Sequence, residues 1–565
     1  MSTFDEEKQN KQLDDIHRQQ EEELILSLAE SKYHIPYADL YHLEIDNESL
    51  RMVSEKEALE MKIAPFKLFG KNIFIALRTP TPEIMENLKE KMLRYNLEPV
   101  FYMASEASLK KVWSRYQEIS MSQNVQVGGI EISGEVLTET KKKVNHIEDI
   151  EKLVTEVLEG NKTHKISHLL EIILAGAIAI KASDIHIEPE KDRSKLRLRL
   201  DGILQDINFF GLDIYRLLNS RIKLLSGMKL TSKIAQDGRF SIMESDSEIN
   251  IRTSLIPGSY GESIVMRILD PKSIRVGFEK LGIEPYLLSI VEEAIKKPNG
   301  LILITGPTGS GKTTTLYAFL QKIYSDEIKI ITIEDPVEYH LIGVTQTQVN
   351  IKRGYTFVEG LRSALRQDPD VIMVGEIRDD DTAGTAVQSS LTGHMVFSTL
   401  HTNNAAGVIP RLIDLKVNPK ILVSALSLSI AQRLVRILCD NCKIKKELSE
   451  TENKIVQSII DGMKLEGKDL AKYNISIDVP FKFFSPVGCN SCNKTGFKGR
   501  IGIFEAIKTD EFIEKIILEN PSEREIKKVA KNQGTLSMRQ DGLVKMFQGV
   551  TSYEEVLSVV DLTEE

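Results

Sequence analysis

All four cysteines of the chain occur in two C-x-x-C pairs. Cys439 and Cys442 form the first pair, and Cys489 and Cys492 form the second. Two such pairs can supply the four thiolates of a tetrahedral zinc site, in which the metal stabilises a fold and has no open position for catalysis. A thioredoxin-like redox centre is the alternative, but it needs only one pair. The spacing therefore favours structural Zn²⁺.

A glycine-rich segment, "LILITGPTGSGKTTT" at 301–315, provides a second candidate site. It begins as an apolar strand and continues into a loop that fits the pattern G-x-x-x-x-G-K-[ST]. Glycines let a chain fold closely enough to point several backbone N–H groups at phosphate oxygens. We expect Lys312 to reach the β- and γ-phosphates of a nucleotide and Thr313 to hold Mg²⁺. The predicted nucleotide-binding residues are Gly306, Pro307, Thr308, Gly309, Ser310, Gly311, Lys312, Thr313 and Thr314.

Acidic side chains follow two further strand-like segments. "IKIITIEDPVEYH" carries Glu334 and Glu338, and "PDVIMVGEIRD" carries Glu376. The carboxyl ends of parallel strands meet at one edge of a sheet, so these acids are expected beside the phosphate loop. Glu376 fits a carboxylate that organises Mg²⁺, and one of the other two could orient the attacking water. Position at the strand end favours Glu334 as the general base, but the spacing leaves that choice open.

Histidines and arginines are weaker candidates on spacing alone. His394 and His401 flank another apolar run in "LTGHMVFSTLHTNNA", where a histidine is more often a core or turn residue than a ligand. Arg252 and Arg267 lie on adjacent predicted strands of a preceding domain. An arginine from a neighbouring domain or subunit commonly stabilises charge at a transferring phosphoryl group. Exposed ion pairs are nevertheless the simpler explanation of these two arginines at this stage.

The composition is that of a large soluble protein with several domains. Hydrophobic residues make up 41% and charged residues 27% of the 565 positions, which excludes a fibrous or wholly disordered chain. The formal net charge of -9 argues against a general binder of nucleic-acid backbones. The first residues lack the apolar segment of a secretory signal, and the longest apolar run, 172–180, is too short to span a bilayer. We therefore expect a cytosolic protein.

Composition and periodicity divide the chain into segments of different character. The predicted order is a polar tail (1–32), an N-terminal α/β domain (33–120), a polar linker (121–148), a smaller α+β domain with antiparallel strands (149–275), an α/β domain with alternating strands and helices (276–438), a cysteine-bearing subdomain (439–505) and a helical C-terminal region (506–565). The glycine-rich loop falls in the larger α/β domain, and both arginines fall in the domain before it.

These motifs together resemble those of the motor ATPases of type II secretion and type IV pilus assembly. The resemblance extends from about 165 to 560 and rests on the order of "ASDIHIEP", "LRLRLDGIL", "AQDGR", "GPTGSGKTTT", "TIEDPVEY", "GLRSALRQDPDVIMVGEIRD", "LTGHMVFSTLHTN", "AQRLVR" and "TGFKGRIGIFE". It implies a RecA-like P-loop ATPase core, preceded by a smaller PAS-like α+β domain and an N-terminal α/β docking domain. A zinc-held C-terminal subdomain follows. The implied assembly is a homo-hexamer that uses ATP, Mg²⁺ and Zn²⁺.

The resemblance also assigns roles to individual residues of this sequence. Glu334 and Glu338 match the family's acidic box, and Glu376 matches its Walker B glutamate. His394 and His401 match its histidine box. The family's zinc ligands fall on Cys439, Cys442, Cys489 and Cys492. Arg252 and Arg267 fall where the family places arginines that reach bound nucleotide. The resemblance thus favours catalytic roles for both arginines, for the acids and for His401.

The function implied is that of a cytoplasmic hexameric motor, peripheral on the inner membrane, that hydrolyses ATP to drive type IV pilus assembly. The first alternative is a type II secretion ATPase that drives pseudopilus assembly and protein export. A nucleic-acid translocase on the same core is less favoured, because the chain is acidic and shows no basic, aromatic-rich groove. A scaffold that binds ATP without cleaving it is disfavoured by Lys312, Glu334 and Glu376.

The partners implied by the resemblance are proteins of a membrane machine. Residues 33–118 are similar, more weakly, to the domain by which such motors dock on membrane-associated proteins, and an inner-membrane platform protein is the expected partner of the motor. In some relatives the docking domain binds cyclic di-GMP through repeated Arg-Leu-Gly motifs. This sequence contains no Arg-Leu-Gly tripeptide, so cyclic di-GMP is not an expected ligand.

Overall fold

We obtained a computed structural model of the chain. The structure describes residues 22–40, 43, 45–46, 49–50, 52–69, 72–93, 97–120, 129–130, 134–160, 165–230, 234–244, 247–271 and 276–563. The chain divides into two compact units, Met1–Val127 and Gly128–Glu565. None of the helices in the described part of the chain is long and apolar enough to cross a bilayer.

The first unit is a small α/β fold built on a three-stranded sheet in the order β1-β2-β3. β1 and β2 are antiparallel, whereas β2 and β3 are parallel. Ile25 and Ala29, within the predicted polar tail, are buried against Met103, so 22–32 belongs to this unit and 1–21 lies outside the described residues. The elements are β1 (Ile63–Phe69), β2 (Asn72–Leu77), β3 (Glu98–Met103), α1 (Glu55–Glu60), α2 (Pro82–Leu93) and α3 (Glu106–Ser120).

The second unit begins with a seven-stranded sheet in the order β4-β8-β9-β10-β5-β6-β7. Its neighbouring strands are antiparallel, as their alternating sequences predict, except for the short parallel pair β4 and β8. In β6, Leu196 and Leu198 are buried while Arg197 and Arg199 lie on the opposite face. The strands are β4 (Gly129–Ile130), β5 (Asp184–Pro189), β6 (Ser194–Leu200), β7 (Ile203–Phe210), β8 (Gln236–Glu244), β9 (Ser247–Gly258) and β10 (Gly261–Leu269).

Four helices accompany this sheet, which we call the second sheet. The apolar run predicted to be a buried helix forms α6, whose residues 172–178 are all buried. Part of the predicted linker is helical, since α4 lies within it and packs against α6. Residues 121–128 and 131–133 of that linker lie outside the described residues. The helices are α4 (Gly134–Lys143), α5 (Ile147–Glu159), α6 (Lys165–Ala179) and α7 (Leu212–Leu225).

The other seven-stranded sheet, which we call the ATPase sheet because it lies in the segment that resembles an ATPase core, has the order β13-β12-β14-β15-β11-β16-β19. Its strands are parallel except β19, which is antiparallel to β16. Helices cover both faces, so β11, β12, β14 and β15 are buried along their whole length, as expected for a parallel sheet. The strands are β11 (Gly300–Thr305), β12 (Ile330–Glu334), β13 (Val344–Gln348), β14 (Val371–Val374), β15 (Met395–Leu400), β16 (Leu426–Leu438) and β19 (Phe497–Lys508).

The remaining elements surround the ATPase sheet. β17 and β18 form a two-stranded antiparallel sheet and lie between β16 and β19 in the sequence. The cysteine-bearing segment is therefore an insertion between two paired strands of the ATPase sheet. The predicted boundary at 505/506 falls inside β19. The elements are α8 (Pro285–Ile295), α9 (Lys312–Ile323), α10 (Phe357–Leu365), α11 (Asp380–Leu391), α12 (Val408–Asp414), α13 (Pro419–Ala425), β17 (Ile444–Glu447), α14 (Glu450–Leu465), β18 (Lys482–Ser485), α15 (Glu511–Glu519), α16 (Glu523–Ala530), α17 (Met538–Phe547) and α18 (Tyr553–Leu557).

The burial of β11 leads to a stability prediction. Leu303 is fully buried in this strand, so Leu303→Ala should lower the free energy of unfolding by about 2–5 kcal/mol through lost burial and a residual cavity. Leu465→Ala is the matched control, because that side chain is 90% exposed and its loss should cost under about 0.5 kcal/mol. Thermal unfolding followed by circular dichroism compares the two, and equal midpoints would contradict the described packing.

Candidate functional site

The glycine-rich loop connects β11 to α9 at the carboxyl edge of the ATPase sheet. Gly306 has φ 149° and Gly311 has φ 88°, both in the region that favours glycine. A Cβ at Gly306 would lie 2.5 Å from the carbonyl oxygen of Gln432 on the neighbouring strand β16. Residues 307–309 are exposed at the tip of the loop, and Thr313 and Thr314 lie in the first turn of α9. The loop is thus held against the sheet while its tip stays open.

Two side chains of this loop region are suited to an anionic ligand. Lys312 Nζ donates hydrogen bonds to the carbonyl oxygens of Gly306, at 2.8 Å, and Pro307, at 3.1 Å, so it lies across its own loop. Burial lowers the pKa of Lys312, and the nearby Glu376 carboxylate partly offsets this effect. The hydroxyl of Ser310 is buried and has no hydrogen-bond partner among the described residues. The backbone N–H groups at the start of α9, a lysine and an unsatisfied hydroxyl together fit the phosphates of a nucleotide.

Glu376 follows β14 and faces this loop. Its Oε1 lies 2.5 Å from Arg378 Nη2, and its Oε2 lies 3.3 Å from His401 Nε2. β15 is paired with both β11 and β14, so the residue after its last position, His401, lies beside the phosphate loop. His394 precedes the first residue of β15, at the opposite edge of the sheet, and its Nδ1 lies 3.1 Å from the carbonyl oxygen of Ser389. The structure therefore brings His401, and not His394, to Glu376.

Glu334, the last residue of β12, is 2% exposed and accepts three side-chain hydrogen bonds. The hydroxyl of Tyr317 donates to its Oε2, while the hydroxyl of Thr332 and the amide of Gln346 donate to its Oε1. Burial raises the pKa of Glu334, and the three donors lower it again in part. The sequence analysis missed Tyr317 and Gln346, because the contacts depend on how α9 and β13 pack beside β12.

The two arginines of the second sheet are engaged differently. Arg252 Nη1 lies 2.9 Å from Glu338 Oε2, and its Nη2 donates to the carbonyl oxygen of Val337 at 2.7 Å. Arg252 therefore ties β9 to the segment that follows β12. Arg267, on β10, is 63% exposed and its Nε donates to Asp184 Oδ1 at 3.0 Å. The structure thus places Arg252 and Glu338 together, while Arg267 presents its tip to solvent.

Gln432 and Arg433, on β16, are neighbours of the loop that the sequence analysis did not assign. Gln432 Oε1 accepts a hydrogen bond of 2.9 Å from Thr315, and Arg433 Nη2 donates to the carbonyl oxygen of Asn403 at 2.8 Å. Arg433 also lines a cavity of about 650 Å³ beside the C-terminal helices. Its only sequence signal is the motif "AQRLVR", which lies within β16, the strand parallel to β11.

The four cysteines converge, as their spacing predicts. All four are free thiols, and their Sγ atoms lie within 4.8 Å of one another. The distances are 3.9 Å for Cys439 to Cys489, 3.8 Å for Cys442 to Cys492 and 3.8 Å for Cys489 to Cys492. A tetrahedral centre with metal–sulfur bonds of about 2.3 Å has sulfurs about 3.8 Å apart, so the cluster fits a metal ion. Backbone N–H groups of Cys489 and Gly496 also donate to Cys492 Sγ, each at 3.2 Å.

The cysteine-bearing segment contacts the second sheet and its helices. The backbone N–H of Ile147 donates to Asn493 Oδ1 at 3.1 Å, next to Cys492, and Lys494 pairs with Glu148. The backbone N–H of Gly499 donates to Asp201 Oδ2 at 3.0 Å. The cysteine cluster therefore lies where the insertion meets the second sheet.

Comparisons with known proteins agree with this geometry. Residues 159–558 match the family described as Type II/IV secretion system protein, and residues 33–123 match the MshEN domain. The chain is 44% identical to Type II secretion system protein E of Aeromonas hydrophila over 405 residues, which is 72% of this chain and 77% of that protein. It is 34% identical to the Type IV pilus assembly ATPase PilB of Myxococcus xanthus over 540 residues, which is 95% of this chain and 91% of that protein.

A solved structure supports the fold alone. The ATPase DotB of Legionella pneumophila aligns with a TM-score of 0.50 at 22% identity, over 71% of this chain and 97% of that one. The family match covers residues 159–558, which include the parallel strands of the ATPase sheet and the glycine-rich loop after β11. The chain belongs to the Type II/IV secretion system protein family.

Proposed function

We propose that the chain is a motor ATPase that hydrolyses ATP to drive type IV pilus assembly. The observation that carries this choice is the extent of the match with the pilus assembly ATPase of Myxococcus xanthus, which covers 95% of this chain and thus includes the first unit. The second candidate is a type II secretion ATPase, favoured by the 44% identity with the Aeromonas hydrophila protein over 72% of the chain. Both candidates use the same ATPase core.

The glycine-rich loop is proposed to bind the phosphates of ATP. Lys312 would leave the carbonyl oxygens of its own loop and reach the β- and γ-phosphates. Thr313 and Glu376 would hold Mg²⁺, which neutralises charge on the phosphates when it is bound. The proximity of Glu376 to Lys312 supports this assignment, since Lys312 would bind the phosphates and Glu376 the metal ion beside them. His401 would orient Glu376 through its Nε2.

The general base is proposed to be Glu334, with Glu376 assigned to the metal. A buried carboxylate with a raised pKa is a stronger base than an exposed one, and its three donors fix its orientation. Glu338 is the poorer candidate because its carboxylate is paired with Arg252. We therefore assign Glu338 to the contact between the second sheet and the ATPase sheet.

Closure of the second sheet over the nucleotide is proposed to complete the site, and its opening after hydrolysis is the proposed mechanical stroke. Arg252 would exchange the carboxylate of Glu338 for phosphate oxygens, and Arg267 would approach the same phosphates. Half-exposed ion pairs contribute only about 0–1 kcal/mol, so such an exchange costs little. Six copies in a ring would couple these closures into work.

The first unit is proposed to dock the motor on its membrane machine. Its match to the MshEN domain over 33–123 nearly coincides with the predicted docking domain, 33–120. An inner-membrane platform protein is the proposed partner, and the motor would lie on the cytoplasmic face of that membrane. Cyclic di-GMP is not part of the proposal, because the sequence lacks Arg-Leu-Gly.

Hydrolysis of ATP tests the proposed function. The purified protein should hydrolyse ATP in a Mg²⁺-dependent reaction that reconstituted platform protein stimulates. Glu376→Gln and Arg267→Ala should each lower kcat by about a hundredfold or more while nucleotide binding remains. Full activity of Arg267→Ala would show that the second sheet does not complete the site. Stimulation by the platform protein of a type IV pilus would support the first candidate. Stimulation only by the platform protein of a type II secretion system would support the second.

The role of Glu334 predicts a pH dependence. Glu334 must be ionised to act as a base, so kcat should fall as the pH drops through its raised pKa. Tyr317→Phe removes a donor that favours the charged carboxylate, so the pKa should rise further and the acid limb should move to higher pH. Tyr324→Phe is the control, because its hydroxyl donates to Asp326 on the surface. Identical pH–rate profiles for all three proteins would rule out Glu334 as the base.

The cysteine cluster is proposed to bind Zn²⁺. Four thiolates in tetrahedral arrangement are the ligands of closed structural zinc sites, and such a site leaves no position for a substrate. Its proposed role is to fold the insertion between β16 and β19.

Removal of one thiolate should remove the metal. The wild type should contain one zinc ion per chain, whereas Cys442→Ser should lose most of it and unfold at a temperature several degrees lower. Ser491→Ala is the control, since Ser491 lies between two cysteines and its exposed hydroxyl accepts a hydrogen bond from the Asn441 amide rather than contacting a thiol. Plasma mass spectrometry measures the zinc content of each protein, and thermal unfolding measures the loss of stability. Zinc retained in full by Cys442→Ser would exclude a four-cysteine site.

A further inference from the structure

Charged residues form a row across five strands of the second sheet. Strand register places them directly opposite one another on one face. The members of this arginine row, from β8 to β6, are Arg239, Arg252, Arg267, Asp184 and Arg199. On the other face, Ile251 and Thr253 are buried, and the Thr253 hydroxyl accepts a 3.0 Å hydrogen bond from the hydroxyl of Ser226, directly after α7. The arginine row therefore lies on the face turned away from α7.

Such a row requires a counter-ion. Like charges directly opposite each other on antiparallel strands destabilise the pair, and Arg252 is directly opposite Arg267. Asp184 is the one acid in the row and is 5% exposed. It accepts the 3.0 Å hydrogen bond from Arg267 Nε, and its Oδ2 lies 3.3 Å from Arg199 Nε. The hydroxyl of Ser183 also donates to Oδ2 at 2.8 Å.

The contact with Asp184 fixes Arg267 without occupying its tip. The carboxylate binds Nε, so the two terminal nitrogens, Nη1 and Nη2, keep their donors and the side chain remains 63% exposed. Arg252 differs, because both of its terminal nitrogens are bound, to Glu338 and Val337. Of this pair of arginines, Arg267 is thus the one already directed and free to bind an anion.

We infer that Asp184 is a positioning residue for ATP hydrolysis, which aims the terminal nitrogens of Arg267 at the phosphates when the second sheet closes. The inference rests on the proposed function, in which Arg267 reaches the nucleotide. A long side chain held at Nε loses less rotamer freedom on binding, and small errors in the placement of such a group cost large factors in rate. Asp184 itself touches no nucleotide and acts through Arg267.

A purely structural role for Asp184 is the competing explanation. In that case the buried carboxylate would only neutralise Arg199 and Arg267, and its loss would weaken the fold whichever residue stood at 267. A positioning role predicts instead that the loss matters only while Arg267 is present. The two explanations therefore differ in a double-mutant cycle.

The experiment compares the wild type, Asp184→Asn, Arg267→Ala and the double variant. The kcat and KM for ATP are measured separately, with single-turnover rates for the slow variants and thermal unfolding for all four proteins. Asp184→Asn should lower kcat by about tenfold or more and change KM by less than about threefold. In the Arg267→Ala background the same substitution should change the residual rate by less than about twofold. Asp206→Asn, which breaks an exposed 2.9 Å pair with Lys195 in the same sheet, should behave as the wild type.

Two results would overturn the inference. One is an equal loss of rate from Asp184→Asn in both backgrounds, which indicates a structural role. The other is wild-type kcat in Asp184→Asn while Arg267→Ala is inactive, which leaves the proposed function intact and removes only the role of Asp184. Full activity of Arg267→Ala would instead overturn both the inference and the proposed closure of the second sheet. Failure of the inference alone can therefore be distinguished from failure of the proposed function.

Discussion

The backbone of Gly306 passes so close to the carbonyl oxygen of Gln432 that no side chain fits between them. This approach is set by the parallel pairing of β11 with β16, in which Thr305 is opposite Ala431. Because β11 is also paired with β15 on its other side, the loop is anchored from both directions. The positions of Lys312 and His401 relative to that loop follow from the same register. A phosphate site at this edge therefore depends on three adjacent strands remaining in register.

The second sheet approaches the ATPase sheet through polar contacts. Arg252 binds Glu338 and the backbone after β12, and Asp201 accepts a hydrogen bond from the backbone N–H of Gly499 in β19. These contacts are half-exposed and directional, unlike the apolar packing inside either sheet. Contacts of this kind contribute little free energy each and can be exchanged one at a time for bonds to a ligand. Such an arrangement suits an enzyme whose parts must move against each other in every cycle.

Local sequence patterns predicted the parts of the site that a single segment builds. The glycine-rich loop, the acid after β14 and the two cysteine pairs each depend on fixed spacing along the chain, and the structure places them as expected. Contacts between segments were not predictable in this way. The hydroxyl of Tyr317 reaches Glu334 only because α9 packs over β12, and Gln432 reaches the loop only through the order of the strands. A polar composition likewise gave no sign of α4, in which Thr140 is buried, or of the burial of Val144 directly after that helix.

The insertion between β16 and β19 joins two properties that otherwise look unrelated. Its cysteine cluster can hold a metal, and Asn493 next to that cluster accepts a hydrogen bond from the first residue of α5, while Gly499 at the start of β19 donates to Asp201 after β6. Any rearrangement of the second sheet must strain or release these bonds. Thermodynamic linkage is reciprocal, so if a metal in the cysteine cluster changed the affinity for a nucleotide by some factor, the nucleotide would change the affinity for the metal by the same factor. The metal would then act as an effector of the motor as well as a part of its fold.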